Sequence, residues 1–126
     1  MVNKREFMQS TDLQKRIHQL LDDAKAQNIQ VLDVRKISSI ADFMIVATGT
    51  STRYVSAVAG NLVDTLKPEG IRAWGIEGED TGEWVLVDFG DVIVHIMLAD
   101  TREFYQLEKL WSGIETDEAD VSADSG

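Results

Sequence analysis

Five apolar residues in a row, Phe43-Met44-Ile45-Val46-Ala47, set the tightest constraint on what this chain can become. Successive strand residues face opposite sides of a sheet, so an unbroken apolar strand has to be covered on both. Directly after the run comes Thr48-Gly49-Thr50-Ser51-Thr52, a turn whose hydroxyls suit helix capping by Thr50 or Ser51. Val55, Val58, Ala59, Leu62 and Leu66 then recur at helical spacing, and Pro68 and Gly70 end the helix. A doubly covered strand feeding an amphipathic helix belongs to an α/β domain.

The remaining segments extend that unit. Thr11 and Gln14 have capping-box spacing, and Leu13, Ile17, Leu20, Leu21 and Ala24 form one face of a first helix that Asn28 should stop. A strand is expected over 29–34, a polar connection over 36–42, and a third strand over 71–76. Strands over 84–87 and 91–98 flank Phe89-Gly90, which reads as a tight hairpin. A last helix starting near Asp100 or Thr101 should bury Phe104, Leu107, Leu110 and Trp111. The element order is α-β-β-α-β-β-β-α. The second and third strands, joined through a helix, should be parallel, and the hairpins on either side antiparallel. One domain with a mixed five-stranded sheet and flanking helices satisfies every amphipathic face. With 126 residues there is room for one core and not two. The domain is expected over 11–112, after an N-terminal arm at 1–10. The segment after it, 113–126, has five acidic residues and no basic one, all from Glu115 on, and reads as a disordered tail.

The formal net charge is −10, from 22 acidic and 12 basic residues. A free nucleic-acid binder carries the opposite footprint, so no direct nucleic-acid binding is expected; the net charge by itself serves solubility, and if the chain works near RNA it suits a basic protein partner. No apolar run approaches the roughly 20 residues of a membrane span, and Met1–Ser10 lacks the pattern of a signal peptide. With no cysteine there is no disulfide, thiolate metal site or thiol nucleophile. A cytoplasmic address is expected.

Candidate chemistry is sparse. The turn Thr48–Arg53 offers free backbone N–H groups at a helix start, but lacks the lysine and glycine spacing of a phosphate loop and the three glycines of a dinucleotide fingerprint. A capped strand-to-helix turn accounts for it. Asp88 and Asp91 flank a hairpin without a second carboxylate pair opposite them. His95 lies four strand residues from Asp91, roughly 13 Å away, too far to share a metal. No metal site and no cofactor is expected. Ser51 has no neighbouring base and no nucleophile-elbow pattern. His95 has two readings, a general base or, as is more common for such a residue, a partly buried histidine satisfied by one hydrogen bond. A distinctive stretch lies between Ala73 and Thr101, where seven acidic residues occur without a lysine or arginine and surround Trp74, Trp84 and Phe89. Trp74 is assigned to the core. Trp84, opening a strand beside a polar loop, and Phe89, at a hairpin tip, are harder to bury and become candidate contact residues for a basic partner.

Several segments together resemble one family: Ser38-Ser39-Ile40-Ala41-Asp42, Thr48-Gly49-Thr50-Ser51-Thr52-Arg53, Gly75-Ile76-Glu77-Gly78, Trp84, Asp88-Phe89-Gly90-Asp91-Val92-Ile93-Val94-His95, and Phe104-Tyr105-Gln106-Leu107-Glu108-Lys109-Leu110-Trp111. In this order, over roughly 9–112, they resemble the ribosomal silencing factor family, also called Iojap-like. The resemblance implies a nucleotidyltransferase-like fold without transferase activity. It implies binding to the fourteenth protein of the large ribosomal subunit, steric exclusion of the small subunit, and repression of translation when nutrients run short. It places partner contacts on Trp84, Asp88, Phe89, Gly90 and Asp91, with Arg102 and Tyr105 as residues that either touch the partner or close the fold. Gly90 serves the turn conformation. A nucleotide-binding or transferase activity at the Thr48–Arg53 turn is the competing expectation. Apolar surface meant for the ribosome can also pair with itself, so a homodimer of the free protein is a further expectation.

Overall fold

A computed structural model describes residues 9–106. Helix α1 spans Ser10–Asp23 and is followed by strands β1, Gln27–Asp33, and β2, Phe43–Gly49. Helix α2, Thr52–Leu66, runs into a short 3-10 turn at Lys67–Glu69. Strands β3, Gly75–Glu77, β4, Trp84–Asp88, and β5, Val92–Leu98, lead to α3, Ala99–Tyr105. The expected element order therefore holds. The expected burial of Leu107, Leu110 and Trp111, the N-terminal arm before Gln9 and the acidic tail all fall outside the described residues.

The five strands form one mixed sheet in the order β1-β2-β5-β4-β3. β2 and β5 pair in parallel, whereas β1–β2, β3–β4 and β4–β5 are antiparallel. β3 therefore points the same way as β2, as expected, but two strands stand between them. All seven residues of β2 are buried, as the apolar run required. Its alternation splits the core: Phe43, Ile45 and Ala47 join Val85, Val87, Val92, Val94 and Ile96 under the apolar faces of α1 and α2. Met44 and Val46 point the other way, with Val34 and Met97, into a smaller cluster edged by Leu32, Ile37 and Trp84. That second cluster draws on no residue of α1 or α2.

Four local expectations need correction. Thr11 is not the cap of α1: the helix begins at Ser10, Gln9 occupies the cap position without a side-chain bond, and the Ser10 hydroxyl donates to Asp42 Oδ2 instead. Asn28 does not stop that helix, which ends at Asp23 with Lys25 in the left-handed region. Asn28 sits inside β1 with a φ of 48°, where the β1–β2 register shifts. The third strand is only three residues long, because Ile71 turns into the core directly after the 3-10 turn. Phe104 is not core but 78% exposed, on a helix none of whose residues is buried. Among the described residues no helix is long and apolar enough to cross a membrane.

Candidate functional site

The sheet face turned away from α1 and α2 carries aromatic, apolar and acidic side chains side by side. Cross-strand partners share a face, so the register aligns Trp84 with Met97, Leu86 with His95 and Asp88 with Ile93. Glu77 on β3 pairs with Leu86 and joins the same face. Trp84, Leu86 and Asp88 are each half-buried and run down β4 as a strip. At the top of this strip the Trp84 ring lies 4.7 Å from that of Tyr105, which in turn meets Phe104 edge-on at 4.9 Å. Both α3 aromatics are exposed, so three rings form a continuous step at one end of the sheet.

His95 fixes the orientation of Trp84. The indole Nε1–H donates to His95 Nδ1 at 2.9 Å, with the ring centroids 5.8 Å apart. An acceptor at Nδ1 leaves the neutral imidazole's proton on Nε2. Burial pushes the His95 pKa down to about 4, so the ring is neutral near pH 7. This is the buried histidine with one clear hydrogen bond that the sequence suggested, and it missed that the donor is Trp84.

The anticipated contact residues separate into two groups. Trp84 and Tyr105 meet at the upper end. Asp88, Phe89, Gly90 and Asp91 make the turn at the opposite end of β4, about four strand residues or 13 Å away. There Asp88 Oδ1 accepts the Gly90 N–H, Phe89 N–H bonds Val92 O, and Gly90 has a φ of 90°, the left-handed turn conformation that glycine adopts without cost. Asp91 is exposed. Phe89 requires correction: it was expected at an exposed tip, yet it is fully buried in the helix-covered core. Period two accounts for this, because Phe89 shares the parity of Val85 and Val87. Trp74 errs the other way. Assigned to the core, it is 70% exposed, while its backbone N–H donates to Asp88 O just before the short edge strand. Arg102 closes the fold: Nη1 donates to Asn28 O and Thr48 Oγ1, tying α3 to β1 and β2.

The Thr48–Arg53 turn has a structural account. Ser51 Oγ accepts the Tyr54 N–H and caps α2, Thr48 Oγ1 is held by Arg102, and a Cβ on Gly49 would collide with Tyr54 and Val55. Among the described residues no group of three or more His, Cys, Asp or Glu side chains converges to hold a metal.

Sequence comparison agrees with the resemblance carried by the motifs. The profile of a family described as "Ribosomal silencing factor during starvation" matches residues 8–125. A protein of Haemophilus influenzae named a ribosomal silencing factor is 53% identical over 92 residues, 73% of this chain and 90% of its own. A mouse protein named "Mitochondrial assembly of ribosomal large subunit protein 1" is 40% identical over 96 residues, 74% of this chain and 42% of its own. Among solved structures, a crystal structure of a protein from Chromobacterium violaceum superposes with a TM-score of 0.81 at 44% identity, covering 83% of this chain and 88% of that one.

Proposed function

The chain belongs to the ribosomal silencing factor family, and from that premise we propose that it represses translation by docking on the large ribosomal subunit and excluding the small one. The docking surface is the partly exposed strip of the sheet face opposite α1 and α2, from Phe104 and Tyr105 past Trp84 to Asp88 and Asp91. Its partner is the subunit's fourteenth protein. The observation that carries the proposal is Trp84: a half-exposed indole, pinned by His95 and Tyr105, beside a surface supplied by a segment with seven acidic residues and no basic one. A pre-positioned aromatic ring loses little freedom on binding and makes a natural hot spot, while the surrounding carboxylates steer and select a basic partner. Phe89, Gly90 and Arg102 support this surface from within. The mouse relative's name ties that protein to the large subunit, in line with the partner proposed here.

The mechanism needs occupancy alone. The family is described as a silencing factor and not as a catalyst, and an interface of about 1,200–2,000 Å² suffices to exclude a competitor. The same strip is the surface through which free copies would pair, in competition with the ribosome.

Purified subunits mixed with and without the protein test the mechanism. Joining should fall in step with occupancy, and the protein should co-sediment with large subunits but not small ones. Trp84→Ala, still folded, should lose about 2 kcal/mol or more of binding. Normal joining by large subunits saturated with the protein would end the proposal.

A further inference from the structure

Next to Trp84 lies an open groove of about 270 Å³, lined by Glu77, Gly78, Trp84 and Leu86. Trp84 and Leu86 stand two residues apart on β4 and so project from the same face, about 7 Å apart along the strand. Glu77, paired with Leu86 across the β3–β4 ladder, adds its carboxylate on that face. The groove is preformed. His95 and Tyr105 hold the indole from the other side. Gly78, at a φ of 90°, lies so close to β4 that a Cβ there would strike the Trp84 carbonyl oxygen. The lining therefore combines an indole, a leucine and one exposed carboxylate, within a segment that contains no lysine or arginine from 74 to 100.

A long side chain with an aliphatic stem and a cationic head matches each of these parts. Its methylenes would lie along Leu86 and the indole, and its head would reach Glu77 while staying near the ring face, where the quadrupole attracts a cation. A guanidinium suits the position better than an ammonium, because it is planar, stacks on aromatic rings and meets a carboxylate with two parallel hydrogen bonds. We propose that this groove is a slot for one arginine side chain of the protein partner, with Trp84 and Leu86 receiving the stem and Glu77 the charge. That the partner is ribosomal rests on the docking proposal above; the slot itself does not.

The test on the free, full-length protein uses N-acetylarginine methylamide as probe, with the norleucine analogue as uncharged control, followed by 15N–1H shift mapping. Arginine should give saturable shifts at the Trp84 indole N–H and at the Gly78 and Leu86 amides, lost in Glu77→Gln and weaker for the control. Equal binding of norleucine, an unchanged response in Glu77→Gln, or shifts spread evenly over every acidic residue would overturn the slot. On ribosomes, Glu77→Gln should weaken large-subunit binding about tenfold, while Glu79→Gln, outside the groove, leaves it unchanged. Equal losses at both positions would reduce Glu77 to one charge among many and remove the slot. Should the wild type fail to bind large subunits at all, the docking proposal falls and the titration still decides the slot.

Discussion

His95 should make the fold acid-sensitive in a defined window. Its ring is 5% exposed on β5, and its Nδ1 accepts the Trp84 indole N–H. Protonation would put a charge in a desolvated place and turn that acceptor into a donor facing a donor. Burial accordingly lowers its pKa to about 4, whereas a histidine in the unfolded chain titrates near 6.5. Between these values the unfolded chain binds a proton that the folded chain refuses. Stability is thus fully present above about pH 6.5, falls as the pH drops towards 4, and is insensitive to this group below that. Integrating the linkage gives a loss of about 1.4 kcal/mol at pH 5.5 and about 3 kcal/mol at pH 4. A domain of this size has roughly 5–15 kcal/mol in total, so the loss is large.

Urea unfolding of the wild type and of His95→Gln across pH 7.5 to 4 would isolate the effect. The glutamine amide oxygen can still accept from the indole but does not titrate, and the carboxylates titrate alike in both proteins. The wild type's advantage over the variant should therefore shrink by about 1.4 kcal/mol at pH 5.5 and about 3 kcal/mol at pH 4. A difference that stays constant through the window, or a directly measured His95 pKa near 6.5, would refute the reasoning. Trp84 emission should stay constant through most of that window and shift only near pH 4, where the folded-state His95 takes up its proton and the indole hydrogen bond is broken.

Three other outcomes follow from the packing. Phe89→Ala should cost about 3–5 kcal/mol in urea unfolding, as a fully buried ring does, while the folded variant keeps its affinity for large subunits. Arg102→Met removes the donors to Asn28 O and Thr48 Oγ1 and should cost about 1–3 kcal/mol, with faster amide exchange over α3 than over β2. Gly78→Ala forces a left-handed φ on a residue with a Cβ and drives that atom against the Trp84 carbonyl, so it should destabilise by about 1–3 kcal/mol and shift Trp84 fluorescence.

The architecture was legible wherever periodicity was strong. The apolar run of β2, the stripes of Leu13, Ile17 and Leu21 on α1 and of Val55 through Leu66 on α2, and the alternation in β5 each specify one element and one covered face. Neighbours in the sheet were not legible, because direction follows from local connection while order depends on which faces fit together. The crossover from β2 through α2 shows how: it predicts that β3 runs parallel to β2, as found, yet β5 takes the place beside β2 and leaves β3 at the edge. Boundaries slipped where a backbone exception intervened, as at Asn28, whose positive φ marks an irregular point in β1 and not the end of a helix.

The aromatic residues show where the site became readable and where it did not. Phe89 and Trp74 exchange the places expected of them, and the two errors share a cause: position relative to a turn was weighed above strand parity. Counting by two from Val85 carries the buried face through Val87 to Phe89, so the hairpin tip drops its ring into the core, and Gly90 supplies the left-handed residue that lets it do so. The same count puts Trp84, Leu86 and Asp88 on the opposite face, where the register sets Glu77 beside Leu86 and brings His95 within reach of Trp84. No spacing in the sequence links Trp84 to His95 or to Tyr105, because those contacts arise from cross-strand register and from the exit of α3 at the end of β5. An aromatic ring held by a buried, neutral histidine at the margin of an acidic surface is costly to build for stability alone, since a leucine would fill the same strand position without needing a partner. That cost is the physical ground for proposing Trp84 as a recognition residue, while the fully buried Phe89 belongs to the core beneath it.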